Sequence, residues 1–174
     1  MKTYQVITAA STFPVSLTEA KSHLKVDTTA DDTYIESIIK AATQLSEEYT
    51  NRFFIDTVIE QYASSFAELE TLFKSKVSSV AHVKYYDSDN SLQTLSASVY
   101  DAQLNYEPSQ IQLADGQSFP TITKRNDAVL ARYTVGYGSA ASDVPEIIKQ
   151  AILLTIGNFY ENRNSVITGK TATE

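Results

Sequence analysis

The sequence contains no cysteine, which removes disulfides, thiolate metal sites and thiol nucleophiles together and suits assembly in a reducing compartment. Its five glycines are scattered. They build no G-x-G-x-x-G, no G-x-x-x-x-G-K-[ST] and no G-x-S-x-G, so neither a phosphate-cradling loop nor a nucleophile elbow is present. Histidine occurs only at His23 and His82, too few for a metal or acid–base centre without cysteine to complete it. Positive charge is also short. Fourteen Lys and Arg stand against 21 Asp and Glu, a net charge of −7, which argues against a broad nucleic-acid surface, because such surfaces displace counterions with Lys and Arg. Long apolar runs are missing too. The longest, residues 151–156, is far below the roughly 20 residues a membrane-spanning helix needs. The opening MKTYQVITAASTF is broken by Gln5 and Thr8 and lacks the apolar core of a signal peptide. The chain reads as soluble and unsecreted.

What is present is helical periodicity at both ends and β texture between them. At 174 residues one domain is expected, burying roughly 70% of the surface an unfolded chain exposes. Residues 32–52 predict a long helix. Its apolar positions Ile35, Ile38, Ala42, Leu45 and Tyr49 are spaced 3, 4, 3, 4, a stripe that something else must cover. Asp31 or Asp32 is placed to cap its first turn, and Glu36–Lys40 and Glu48–Arg52 are i,i+4 pairs in the favourable order. Before it, Ser16-Leu17-Thr18-Glu19 has the spacing of a capping box, predicting a short helix to about Lys25 with Leu17, Ala20 and Leu24 inward.

Residues 57–137 are rich in β-branched and aromatic residues separated by turn residues, and predict strands at 58–66, 69–73, 80–86, 97–102, 110–113 and 128–136. No connection among them is long enough for a crossover helix, so the sheet should be mainly antiparallel. After Gly136-Tyr137-Gly138, the run Asp143-Val144-Pro145-Glu146 is a helix start. The apolar positions that follow, Ile147, Ile148, Ala151, Ile152, Leu153, Leu154, Ile156, Phe159 and Tyr160, wrap more than half the circumference. Such a helix must be covered on more than one side. The sheet or another copy of the chain can supply the extra cover, and Gly157 permits a close backbone approach. The two long helices end alike, in Tyr49-Thr50-Asn51-Arg52 and Tyr160-Glu161-Asn162-Arg163. Beyond Arg163 the tail lacks helical period and apolar area, and is expected to be flexible.

Candidate chemistry is sparse. Asp87-x-Asp89-x-Ser91 resembles the start of a calcium loop but has no glycine at the sixth position and Ser98 at the twelfth, so a hairpin turn is the expectation. Glu47 and Glu48 are adjacent and point to different parts of the helix surface. The tyrosines clustered in the β region, including Tyr85, Tyr86, Tyr100, Tyr106, Tyr133 and Tyr137, suit a half-buried sheet and also a protein-binding surface.

Four features, in order, resemble the head–tail connector (adaptor) family of tailed phages. They are Pro14-Val15-Ser16-Leu17-Thr18-Glu19-Ala20-Lys21 followed by His23-Leu24-Lys25-Val26; Asp31-Asp32 with Tyr34-Ile35; Gly136-Tyr137-Gly138 then Val144-Pro145; and Ile147-Ile148-Lys149-Gln150-Ala151-Ile152-Leu153-Leu154 running into Tyr160-Glu161-Asn162-Arg163. The resemblance implies an α+β fold, with a helix pair near the N-terminus and a long C-terminal helix packed together and the antiparallel β region inserted between them. It implies one connector domain over 1–163 and a flexible tail over 164–174. It also implies a non-enzymatic virion protein without cofactors, assembled in the host cytoplasm into a ring of identical subunits, twelvefold, under the portal. DNA passes through such a ring without specific binding, and no membrane is involved.

By the same likeness the tail residues Asn164, Ser165, Val166, Ile167 and Thr168 order against the portal protein, and β loops meet a stopper or tail-completion protein. Helix packing or the subunit interface falls to Ile35, Ile38, Leu45, Tyr49, Ile148, Ile152 and Phe159. A tail terminator or stopper of the same neck differs only in ring position. A small ligand-binding domain would need Asp, Tyr and His82 converging in a deep pocket.

Overall fold

The computed structural model describes residues 3–74 and 76–163. It is α+β, with three helices and seven strands, and its backbone divides into two compact units. One comprises Met1–Thr12 and Thr50–Val144, the other Phe13–Tyr49 and Pro145–Glu174.

In the first unit, strands β1 (Thr3–Thr8), β2 (Thr57–Ala63), β3 (Val77–Tyr86), β4 (Leu92–Thr94) and β7 (Val129–Val135) form one sheet in the order β1-β2-β7-β3-β4, while β5 (Tyr100–Gln103) and β6 (Gln110–Leu113) pair separately. Every pairing is antiparallel, as the short connections require. The N-terminal segment forms the edge strand β1.

Alternation along β2 and β7 puts Ile59, Ala63, Val129, Ala131, Tyr133 and Val135 on one face, where Phe66, Leu69, Leu72, Val83 and Ile111 complete the core. Tyr133 is fully buried, and its hydroxyl donates to Gln61 Oε1 at 2.6 Å and accepts from the Phe73 amide at 2.9 Å. Burial pushes that phenol well above its ordinary range.

Two strand expectations fail here. Residues 69–73 are not a strand, because Phe66–Glu70 is a 3-10 turn. Phe66, Leu69 and Leu72 recur every third residue and are all buried, a spacing that suits the 3-10 period. The Gln61 side chain takes Thr71 O and the Phe73 amide, groups a neighbouring strand would have bonded. Residues 97–99 also lie outside β5, held in a turn by Val99 N to Ser96 O and Ser98 N to Ser96 Oγ. The Asp87 region is the expected hairpin turn between β3 and β4, with Asp87 Oδ1 accepting from the Asp89 and Ser91 amides and Asn90 at φ 59°.

Gly136 and Gly138 have φ of 148° and 159°. A side chain on Gly136 would run into Asp56, and one on Gly138 into the Asp143 carboxylate. Gly138 O accepts from Asp56 N and the Tyr137 amide donates to Phe54 O, so this junction demands backbone without side chains.

The second unit holds α1 (Leu17–Leu24), α2 (Asp32–Thr50) and α3 (Glu146–Glu161). The capping box at α1 is formed in both directions: Glu19 N donates to Ser16 Oγ, and Ser16 N donates to Glu19 Oε2 at 2.7 Å. Those Ser16 bonds hold the Glu19 carboxyl below its ordinary value of 4.5. Lys25 at φ 57° closes α1.

Candidate assembly surface

Three sets of polar contacts fasten the helices. Lys21 Nζ on α1 meets Asp32 Oδ1 on α2 at 2.6 Å, and Lys149 Nζ on α3 meets Glu19 Oε1 on α1 at 3.4 Å. The third is a clasp between the start of α2 and the end of α3. Tyr160 Oη donates to Asp31 Oδ2 at 2.6 Å, Tyr34 Oη donates to Phe159 O at 3.3 Å, and the Arg163 guanidinium lies 4.4 Å from the Tyr34 ring centroid and 4.9 Å from that of Tyr160. Arg163 also reaches Asp31 Oδ2 at 3.5 Å. A cation over two rings with a carboxylate beside it is a mutually satisfied group.

Gly157, read in the sequence as permitting a close backbone approach, lies against α1. A Cβ there would meet His23 Nε2 at 3.5 Å, an ordinary contact.

The residues expected at helix packing or the subunit interface separate by depth. Ile35, Ile38 and Ile152 are buried, Ile148 and Phe159 are half-buried, and Leu45 and Tyr49 are exposed at 53% and 91%. The α2 stripe is therefore covered for its first half and bare in its last turns. On α3, Ile152, Leu153 and Ile156 are buried, whereas Ile147 and Leu154 are 80% and 68% exposed and Ala151 is exposed with them. These belong to two stripes. Residues 148, 152, 156 and 159 turn inward, and residues 147, 151 and 154 make a second row about 130° round the helix. Sorting the apolar positions by angle would have separated Ile147 and Leu154 from the core set. The clasp left no apolar signal in the sequence. The predicted portal-binding residues 164–168 lie outside the described residues.

Among the described residues Thr43 Oγ1, Asp56 Oδ1 and His82 Nε2 are buried without a hydrogen-bond partner, whereas Glu60 is paired. Glu60, only 8% exposed, accepts from Arg132 Nε at 2.9 Å and from Tyr62 Oη at 3.0 Å. His82 Nε2 stands 3.9 Å from Glu60 Oε2, and burial with neighbouring Lys84 and Arg132 pulls its pKa down. Glu60 and Arg132 form an ion pair between β2 and β7, with the His82 imidazole on β3 beside it. Arg52, expected to pair with Glu48, makes a bidentate contact with Glu107 at 2.6 and 3.2 Å. Asn51 in the left-handed conformation, φ 53°, takes it off the helix surface. Among the described residues no group of three His, Cys, Asp or Glu is placed to hold a metal, and no helix is long and apolar enough to cross a membrane.

A family model described as phage gp6-like head-tail connector protein matches residues 14–115. The chain belongs to that family. It is a head–tail connector protein. The connector's fold is also that of a chain in the virion of a native gene transfer agent particle, at 20% identity and TM-score 0.77, covering 97% of this chain and 89% of that one. A chain in the neck of an empty particle of that kind, computed with C6 symmetry, matches at 20% and 0.75 over 96% and 88%, and one in the native neck, computed with C12 symmetry, at 19% and 0.69 over 97% and 88%. Comparison with curated proteins returns no match.

Proposed function

We propose that this connector assembles as a ring of identical copies, twelvefold, beneath the portal, with the tail-side protein on its other face and DNA passing through without specific binding. The observation that carries this reading is the uncovered apolar surface of the helical unit, Ile147 and Leu154 on α3 with Leu45 and Tyr49 on α2. Water-exposed residues of this size, at helical spacing and in a protein of this family, mark an interaction surface. The C6 and C12 symmetry of the matched necks supports a ring, and the net charge of −7 suits a channel that does not grip DNA. The two units act together as one connector domain, structural and without catalysis.

The portal contact is assigned to residues 164–168, where Val166 and Ile167 can add as a strand or anchor in a groove, with their ordering cost met only on binding. Two measurements test these assignments. Sedimentation of the purified chain, alone at high concentration and with portal, should show rings; monomer under both conditions would refute the assembly. Deleting 164–174 should leave ring formation and the circular dichroism spectrum intact while abolishing portal attachment, and a truncated chain that still docks would overturn the tail's role.

A further inference from the structure

We infer that neighbouring copies in the ring meet head to tail, with the α3 row Ile147–Ala151–Leu154 of one copy seated on the α2 row Ala41–Leu45–Tyr49 of the next. This rests on the ring reading and specifies its interface. A closed ring of more than two copies needs two different patches on each copy, because a patch that binds its own equivalent closes after two. The helical unit presents two such patches, on different helices. Leu45 and Tyr49 are exposed at 53% and 91%, and Ile147 and Leu154 at 80% and 68%.

The two rows are alike in kind. Each carries an exposed alanine, Ala41 or Ala151, and each has an exposed glutamine beside it, Gln44 or Gln150. The small residues let two helix axes approach to the roughly 8–10 Å of packed helices. Neither row carries Lys, Arg, Asp or Glu among its three members, the charge depletion found at interface centres. The two alanines meet where the helices cross, with the large residues of each row packed beside them, which favours ridges entering grooves. The second copy is the occupant because only a second copy brings the complementary row at the same repeat around the ring.

The absence of cysteine in the chain makes the test clean. The variant Ala41→Cys/Ala151→Cys, oxidised under conditions where the wild type forms rings, should give a ladder of cross-linked multimers on a denaturing gel. Ala41→Cys alone and Ala151→Cys alone should remain uncross-linked, and an equal mixture of the two should cross-link. Self-cross-linking of either single variant would overturn the pairing in favour of a like-to-like contact. Rings without any cross-link in the double variant would overturn it as well.

A second pair of variants reads the same interface without sulfur chemistry. Leu154→Arg and Leu45→Arg each block one row at an exposed position, so both should keep the wild-type thermal transition as monomers. Mixed, they should form a dimer that grows no further, through the one intact pair of rows. Monomer in the mixture, or full rings from either variant alone, would refute the inference while leaving the ring itself standing. Failure of the wild type to form rings would remove the reading beneath both.

Discussion

The two long helices end in nearly the same letters, yet the clasp holds α2 at its start and α3 at its end. α2 is held at its start, by Lys21 on Asp32 and by the clasp on Asp31 and Tyr34, and its last turns leave Tyr49 91% exposed. α3 is held at its end by the same clasp, and its first turns leave Ile147 80% exposed. Tyr49 and Tyr160 occupy the same place in the shared tetrapeptide, but only Tyr160 has Asp31 within reach. Asn51 and Asn162 differ likewise: Asn51 is left-handed and turns the chain off its helix, whereas Asn162 has φ −107° and ψ 72° and bonds back to Asn158. A terminal pattern therefore specifies how a helix can stop, and the neighbour decides what the stop is used for.

The largest contrast to be broken is between the covered and bare halves of each helix. Ile35→Ala and Ile152→Ala empty fully buried sites and should each cost about 2–5 kcal/mol in chemical denaturation of the monomer. Ile147→Ala and Tyr49→Ala should stay within about 0.5 kcal/mol on the same measurement, and a large loss from either would mean those rows are already packed in the single chain. Next is the clasp. Asp31→Ala should lower monomer stability by on the order of 1 kcal/mol, and Tyr160→Phe should lower the melting temperature while Tyr49→Phe does not. Equal responses from the two tyrosines would erase the distinction between the helix ends. Smaller still, Arg52→Ala should cost no more than about 1 kcal/mol, and less in high salt, because its pair with Glu107 is half-exposed.

The smallest effect sets the two ends apart on the pH axis. Bonding to Arg52 holds the Glu107 carboxyl below its ordinary 4.5, so the fold favours the ionised form. That contribution is present above pH 4.5 and is lost as pH falls through the lowered value. At the other end, the bond to the Asp31 carboxylate raises the Tyr160 phenol above 10.0, so the fold favours the protonated form. This contribution is present below pH 10.0 and disappears as pH climbs through the raised value. Melting temperature against pH should show an acid-side loss made smaller by Arg52→Ala and an alkaline loss made smaller by Tyr160→Phe, the remainder belonging to groups such as Glu19 and Tyr133. A wild-type curve unchanged by both substitutions would contradict the assignment.

Much of this molecule was legible as sequence because the signals were local. The Ser16 and Glu19 capping box, the 3,4 spacing of α2, the strand at 110–113 and the Asp87 turn each state a backbone conformation within a few residues. The strand at 92–94 was missed because its three residues are all exposed and carry no alternation. The 3-10 turn at Phe66 was taken for strand because its side chains suit either, and its decisive partner, Gln61, lies outside the segment. At the assembly surface, apolar content showed that α3 carries more than one chain covers, but membership of the inner or outer row depends on rotation about the helix axis. The residues named for helix packing or the subunit interface therefore include both Ile152, which is core, and Tyr49, which is bare.

The chain passes between the sheet unit and the helical unit three times, after Thr12, after Tyr49 and after Val144. Each unit is thus woven from two separate lengths of polypeptide. Neither unit can therefore be released by a single cut in the backbone or produced as one uninterrupted fragment.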